Sequence, residues 1–370
     1  MNKTQRISML TLVVLGTVLS GNMVLAAPAA PAQGSLPGVE ISRTKEYLER
    51  ERLAQQIAED VARKKAKVEG QGTETSTPVK SEVTFVITSI ITDKSQVLSE
   101  EEIKKITNNY EGKTLVVRDL YELVNKINKL YSDKGYLTCR AVLPQQTIKQ
   151  GVVHIRLLEG KTGKVTVEGN KSTRERYITD RLSLKPGTIA NINTLNKDLL
   201  LFNGTNDAQL RIKMKAGDTP GTTDYELTTW EPQKQTWSVY SDNGGNTNTG
   251  KYRGGLFFTD HSLTGTRDAL TLSTLDSKGM RSFSTSYSRQ VGRSGTKLNL
   301  LYSTNSVHII DGDLEPLNVR GHANSYGVGV VQPLIVNETT RSEVGLEYNY
   351  QNSKTDYLGI HWLDDTEKDV

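Results

Sequence analysis

The stretch Glu343-Val344-Gly345-Leu346-Glu347-Tyr348-Asn349-Tyr350 decides the fold of the C-terminal third of the chain. Val344, Leu346, Tyr348 and Tyr350 form one row, and small or polar residues fill the other. A period of two is the signature of a strand with one apolar face. Upstream the pattern recurs: Phe283, Thr285 and Tyr287 between serines, then Leu298, Leu300 and Tyr302, then Tyr326, Val328 and Val330. Downstream, Leu358, Ile360 and Trp362 repeat it. Strands of about 8–10 residues separated by Gly-, Asn- and Asp-rich turns therefore fill 233–370. An apolar row backed by Gly, Ser and Asn fits either a soluble sandwich or a membrane barrel. The small polar rows suit a wet lumen. The connections, short at Val291 to Gly295 and long at Ser306 to His322, favour the barrel.

Before Pro232 the period is helical as well as strand-like. Val83 to Thr92 is β-branched, Ser99-Glu100-Glu101-Glu102 reads as a capping box, and Ile103, Ile106 and Tyr110 share one helical face. A second helix carries Leu120, Leu123, Val124, Ile127, Leu130 and Tyr131, with Gly135 at its C-terminal cap. Strands Leu137 to Leu143 and Val152 to Leu158 complete a β-α-α-β-β unit. The order then repeats: a strand at Val165 and Val167, a second capping box at Ser172-Thr173-Arg174-Glu175, and a break at Lys185-Pro186-Gly187. A helix with Leu195, Leu199 and Phe202 comes next, then strands at Leu210 to Met214 and Tyr225 to Trp230. Such self-similarity marks tandem modules.

The first residues carry Lys3 and Arg6, an apolar run from Met9 to Leu19, and Val24-Leu25-Ala26, the pattern of a cleaved secretory signal. From Ile41 to Lys67 strong helix formers carry a narrow stripe of Leu53, Ile57 and Val61 beside Ala54, Ala58 and Ala62. That helix suits either a polar tube or a solvated surface. Pro-, Ala- and Gly-rich residues 28–38 and Gly70 to Lys80 read as linkers.

Composition narrows the chemistry. With 46 Lys and Arg against 42 Asp and Glu, no basic domain points to nucleic acid. Cys139 is the only cysteine, which excludes an intramolecular disulfide and a zinc cluster. His154, His261, His308, His322 and His361 lack metal-ligand spacing. Gly245 to Lys251 approaches a phosphate-binding loop, but Tyr252 stands where the magnesium-binding hydroxyl belongs and a strand succeeds it. No catalytic residue, cofactor or metal is expected.

Several stretches resemble a known family. Val142-Leu143-Pro144-Gln145-Gln146 through Gly151, Leu157-Leu158-Glu159-Gly160 and Val167-Glu168-Gly169-Asn170 resemble the junction of the two POTRA domains of the two-partner-secretion transporters (TpsB), the ShlB/FhaC/HecB-type haemolysin secretion and activation proteins. Asp242-Asn243-Gly244-Gly245, Thr249-Gly250 and Leu263-Thr264-Gly265-Thr266-Arg267-Asp268 resemble its first barrel strands, and Ser325-Tyr326-Gly327 through Gln332-Pro333-Leu334 a later one. The resemblance implies a multidomain α+β and β protein. Its parts are a signal peptide (1–26), a plug-like N-terminal helix and linker (27–80), a first POTRA domain (81–160), a second (161–232), and about the first eight strands of a transmembrane β-barrel (233–370). It further implies an outer-membrane location with the POTRA domains in the periplasm, a barrel of about 16 strands, and export of a large β-helical exoprotein. Outer-membrane lipid and the barrel assembly machinery would be further partners.

About half of that barrel is missing from 233–370, so the chain is expected to be C-terminally incomplete, because a half barrel bares unpaired backbone groups to lipid at several kcal/mol each. The charged end from Asp364 to Val370 reads as no closing strand. Val319-Arg320-Gly321-His322 mimics the family's lumen-loop motif without its aromatic and reads as coincidence. Transport without ATP must rest on binding, so the open edge of a three-stranded sheet is the expected client site. In the first module it lies between the strand bearing Thr138, Arg140 and Val142 and the helix bearing Leu123, Ile127 and Leu130, with Tyr136 beside it. Insertion of other barrel proteins, and a periplasmic scaffold with a soluble β domain, are the alternatives.

Overall fold

A computed structural model describes residues 84–370. The expected signal segment, the helix with Leu53, Ile57 and Val61, both linkers and Val83 lie outside the described residues. The described residues form two α/β modules and one large antiparallel sheet.

The first module holds β1 (Thr84–Val86), β2 (Ser89–Thr92), α1 (Glu100–Thr107), β3 (Thr114–Val116), α2 (Val117–Asp133), β4 (Cys139–Val142) and β5 (Val152–Glu159). Ser99 caps α1 as its sequence requires: its hydroxyl accepts from the Glu102 N–H, and the Glu102 carboxylate accepts from the Ser99 N–H at 3.0 Å. The Val83 to Thr92 segment is not one strand. β1 pairs with β3, an element the β-α-α-β-β order lacked, while β2 pairs in parallel with β5. The break falls at Ile87, which points into the core and is fully buried. The main sheet runs β2-β5-β4, so β4 is an edge. Leu120, Leu123, Val124, Ile127 and Tyr131 of α2 cover one face of it.

The second module holds β6 (Lys161–Glu168), α3 (Glu175–Thr179), α4 (Ile192–Thr205), β7 (Gln209–Ala216) and β8 (Thr222–Trp230), in sheet order β6-β8-β7. The capping box expected at Ser172 does not form. Arg174 precedes α3 without a side-chain cap, and Ser172 and Thr173 bond the Glu231 carboxylate instead. A charged acceptor offers those hydroxyl and amide groups a stronger bond than a helix end does. The modules meet end to end: the Ile192 N–H donates to the Gly135 carbonyl and the Asn191 amide to the Lys134 carbonyl, both at 2.8 Å. Gly135, at φ 84°, must be glycine here, since a Cβ would lie 2.6 Å from the Asn193 side chain.

The large sheet contains β9 (Gln235–Asp242), β10 (Arg253–Asp260), β11 (Ala269–Ser277), β12 (Met280–Val291), β13 (Thr296–His308), β14 (Arg320–Val336), β15 (Arg341–Tyr357) and β16 (Ile360–Asp369). Each strand pairs with its sequence neighbour, and the sheet is open, with β9 and β16 at its edges. No second sheet faces it among the described residues, which removes the sandwich reading. Register stacks Tyr302, Tyr326 and Tyr350 side by side, with ring centroids 5.2 and 6.4 Å apart. Below them Leu300, Val328 and Tyr348 align, then Leu298, Val330 and Leu346. The other face aligns Ser273, Ser284, Ser303, Ser325 and Gln351. Tyr326 to Leu334 covers about 30 Å of strand; a tilt of about 40° reduces that to roughly the apolar band of an outer-membrane barrel.

Asp364 to Asp369 pairs with β15 despite its charge and, as an edge of the open sheet, closes no barrel, as expected. One expectation for this region changes. Long and short connections do not strictly alternate. The end of the sheet away from the modules has loops at 243–252 and 309–319 and also two-residue hairpins at Lys278-Gly279 and Leu358-Gly359.

Candidate functional site

The expected client edge is partly closed. Leu123 and Ile127 are fully buried and offer no surface, while Leu130, Tyr136, Thr138 and Val142 are half-buried and Arg140 is exposed. These residues do come together, but their edge is occupied by a residue that the sequence did not single out. Asn128, on α2, accepts from the Ala141 N–H at 2.6 Å and donates to the Ala141 carbonyl at 3.3 Å. Because strand backbone groups alternate sides, Val142 then turns its N–H toward β5 and Arg156. Proline at 142 would break the module's own ladder, so it cannot serve as a probe of the edge.

The motif residues at the module's end have structural work. Gln146 bonds both the N–H and the carbonyl of His154, at 2.8 and 2.7 Å, continuing the sheet past the end of β4. Glu159 accepts from the Gln96 N–H at 2.9 Å and the Tyr131 hydroxyl at 3.0 Å. A Cβ on Gly160 would stand 2.6 Å from the Thr138 carbonyl. Burial pushes the neighbouring Cys139 thiol up to about 11, so it stays protonated and unreactive at neutral pH.

The second module docks on three consecutive turns of the large sheet. In the 261–268 turn, which the sequence likened to strand, Arg267 is buried and forks onto Asp207, with Nε 2.6 Å from Oδ1 and a second contact from its terminal nitrogen to Oδ2. His261 lies 3.4 Å from the same carboxylate, and the Arg267 guanidinium also donates to the Ser172 hydroxyl at 3.1 Å. Burial alone would raise the Asp207 carboxyl; the His261 and Arg267 bonds more than reverse it and hold it at about 2. Asp268 folds the turn by accepting from the Thr264 and Thr266 N–H groups. At 292–295, the Arg181 guanidinium donates to the Gly292 carbonyl at 3.0 Å and lies 3.5 Å from the Tyr177 ring centre. Tyr177 reaches Gln290 of β12, whose amide donates to the Thr205 carbonyl. At the end of β14, just before the 337–340 turn, Val336 packs on Gly204, where a Cβ would approach to 2.4 Å. Arg267 and Asp207 are 60 residues apart, and only the Thr266-Arg267-Asp268 triplet hinted at one partner.

The family described as POTRA domain, ShlB-type, matches residues 85–160, which is the first module. The chain is 27% identical over 280 residues to the heme/hemopexin transporter protein HuxB of Haemophilus influenzae (strain 86-028NP), covering 74% of this chain and 49% of HuxB. It is 26% identical over 167 residues to the outer membrane transporter CdiB of Dickeya dadantii (strain 3937), covering 45% of this chain and 29% of that protein. In fold it matches CdiB from Escherichia coli with a TM-score of 0.58 at 19% identity, over 92% of this chain and 64% of that one. The chain spans about half the length of the HuxB relatives it matches. Among the described residues no helix is long and apolar enough to cross a membrane. Residues 85–160 are a POTRA domain of ShlB type, and over most of its length the chain is similar to outer-membrane transporters; on that likeness the large sheet lies in the outer membrane and the modules in the periplasm.

Proposed function

We propose that the chain passes a large secreted partner protein, of β-helical exoprotein type, across the outer membrane, with the modules receiving it in the periplasm and the sheet forming part of the pore wall. The observation that carries this reading is the joint: the second module is fastened to three periplasmic turns, so a polypeptide held by the modules is delivered at the sheet's mouth. The face of small polar residues gives an extended chain hydrogen-bonding groups without large side chains in its way. The relatives are transporters, and this chain works by binding and release rather than by catalysis. Contact with outer-membrane lipid follows from the tyrosine, valine and leucine belt. Insertion through the barrel assembly machinery follows from the barrel class.

Within the first module the client region comprises Leu130, Tyr136, Thr138, Arg140 and Val142, with Leu123 and Ile127 packing beneath it. A photoactivatable residue at Arg140, in cells that also make a large secreted β-helical protein, is expected to cross-link to that protein during secretion. Surface delivery that continues unchanged after deletion of residues 81–160 would contradict the proposal.

A further inference from the structure

Each module contains the same device at the same place. In the first, Asn128 of α2 holds both backbone groups of Ala141 on β4; in the second, Asn203 of α4 holds both groups of Leu210 on β7, at 2.7 and 3.0 Å. Both strands are sheet edges. An amide that accepts from an N–H and donates to the carbonyl of one residue supplies the two bonds a neighbouring strand would supply. An incoming strand and the amide therefore compete for the same groups. Left bare, such an edge would be a template for unwanted pairing, and the amide closes it.

The two copies differ in accessibility. The strand residues Ala141 and Leu210 are both buried, at 1% and 0% exposed; the amides differ, since Asn203 is 6% exposed whereas Asn128 is only partly buried at the module surface. Replacing Asn203 requires opening the core, and replacing Asn128 does not. The surroundings of Ala141 also specify a ligand. Arg140 precedes it and Arg156 stands opposite Val142, both exposed on the sheet face away from the helices. Among the described residues neither has an ion-pair partner. A strand added beside Ala141 sets its own alternate side chains next to Arg140 and, across β4, on the same face as Arg156, where carboxylates complement the two guanidiniums.

We propose that Asn128 is a displaceable latch over the β4 edge, that an extended polypeptide segment with alternate acidic side chains binds by replacing it, and that Asn203 is the fixed lock of the second module. This rests on the reading that the first module receives the secreted partner.

The test uses the full chain in detergent micelles and a fluorescein-labelled ten-residue peptide alternating valine and aspartate, followed by anisotropy. Asn128→Ala removes the competitor and is expected to tighten binding about fivefold to tenfold. Ala141→Pro removes the N–H that both Asn128 and an added strand would use, and is expected to abolish saturable binding. Limited proteolysis of the first module shows whether each variant stays folded. Asn203→Ala is expected to leave the affinity unchanged, and a peptide with lysine in place of aspartate to bind at least tenfold more weakly. Unchanged or weaker binding by a folded Asn128→Ala overturns the latch, as does the absence of saturable binding by both it and the unaltered chain. If cross-linking at Arg140 persists in those cases, only the latch fails; if it is lost too, the client-binding reading fails with it.

Discussion

The second module and the large sheet are both β-rich and they touch, yet they place their apolar residues on opposite sides. In the module Leu195, Leu199, Phe202, Leu210, Ile212 and Leu227 are all at most 2% exposed. In the sheet Val328 is 50% and Leu346 66% exposed, while Ser325 on the other face is 3% exposed. The same two-residue alternation thus serves two solvents. In the module it builds an interior, and in the sheet it builds an exterior for lipid around a row of small polar groups. The boundary between the regimes is the joint of Asp207 with Arg267, which is polar on both sides.

Breaking the joint should have the largest effect. Arg267→Ala leaves Asp207 buried and without its main partner, which costs about 3–5 kcal/mol of docking stability. Protease cleavage near Pro232 should then rise sharply while each region alone keeps its fold. Next comes the contrast itself. Leu199→Ala should destabilise the second module by about 2–5 kcal/mol, read from its denaturant midpoint, because it opens a cavity in a packed core. Val328→Arg should leave the modules unchanged but cost about 2–4 kcal/mol of membrane stability, read as a lower urea midpoint for the lipid-inserted sheet. The smallest effect is that of pH. A carboxyl held at about 2 stabilises the joint at pH above its unfolded value near 3.8, and this contribution, about 2 kcal/mol, is lost as pH falls through 2. Cleavage near Pro232 should therefore stay flat from pH 7 to 5 and rise below pH 4.

Much of the fold was legible in local pattern. The Ser99 to Glu102 box, the α2 stripe, the cap at Gly135 and the alternation of β14 and β15 are local or strictly periodic, so residue order alone specifies them. The bonds of Asn128, Gln146 and Asn203 were not legible, since an amide facing a strand edge has no spacing rule; the partners lie 13, 8 and 7 residues away. Ser172 misled because a capping motif shows what a hydroxyl can bond, whereas Glu231 arrives only through the fold. Asp365 and Glu367 belong to a paired strand that closes no barrel, and their charge does not prevent the pairing. They face Ser353 and Gln351 on the inner row, a wet side where no apolar residue is required.

Residues 235–369 form a sheet with an apolar face for lipid and a small polar face opposite it. Spin labels placed singly at 325 to 330 in the lipid-reconstituted chain, read by collision with oxygen and with a water-soluble nickel complex, test it most directly. Oxygen access is expected at 326, 328 and 330 and not at 325, 327 and 329, which lie buried in the small polar row. Positions 326, 328 and 330 shielded from both reagents would mean a packed interior and contradict it.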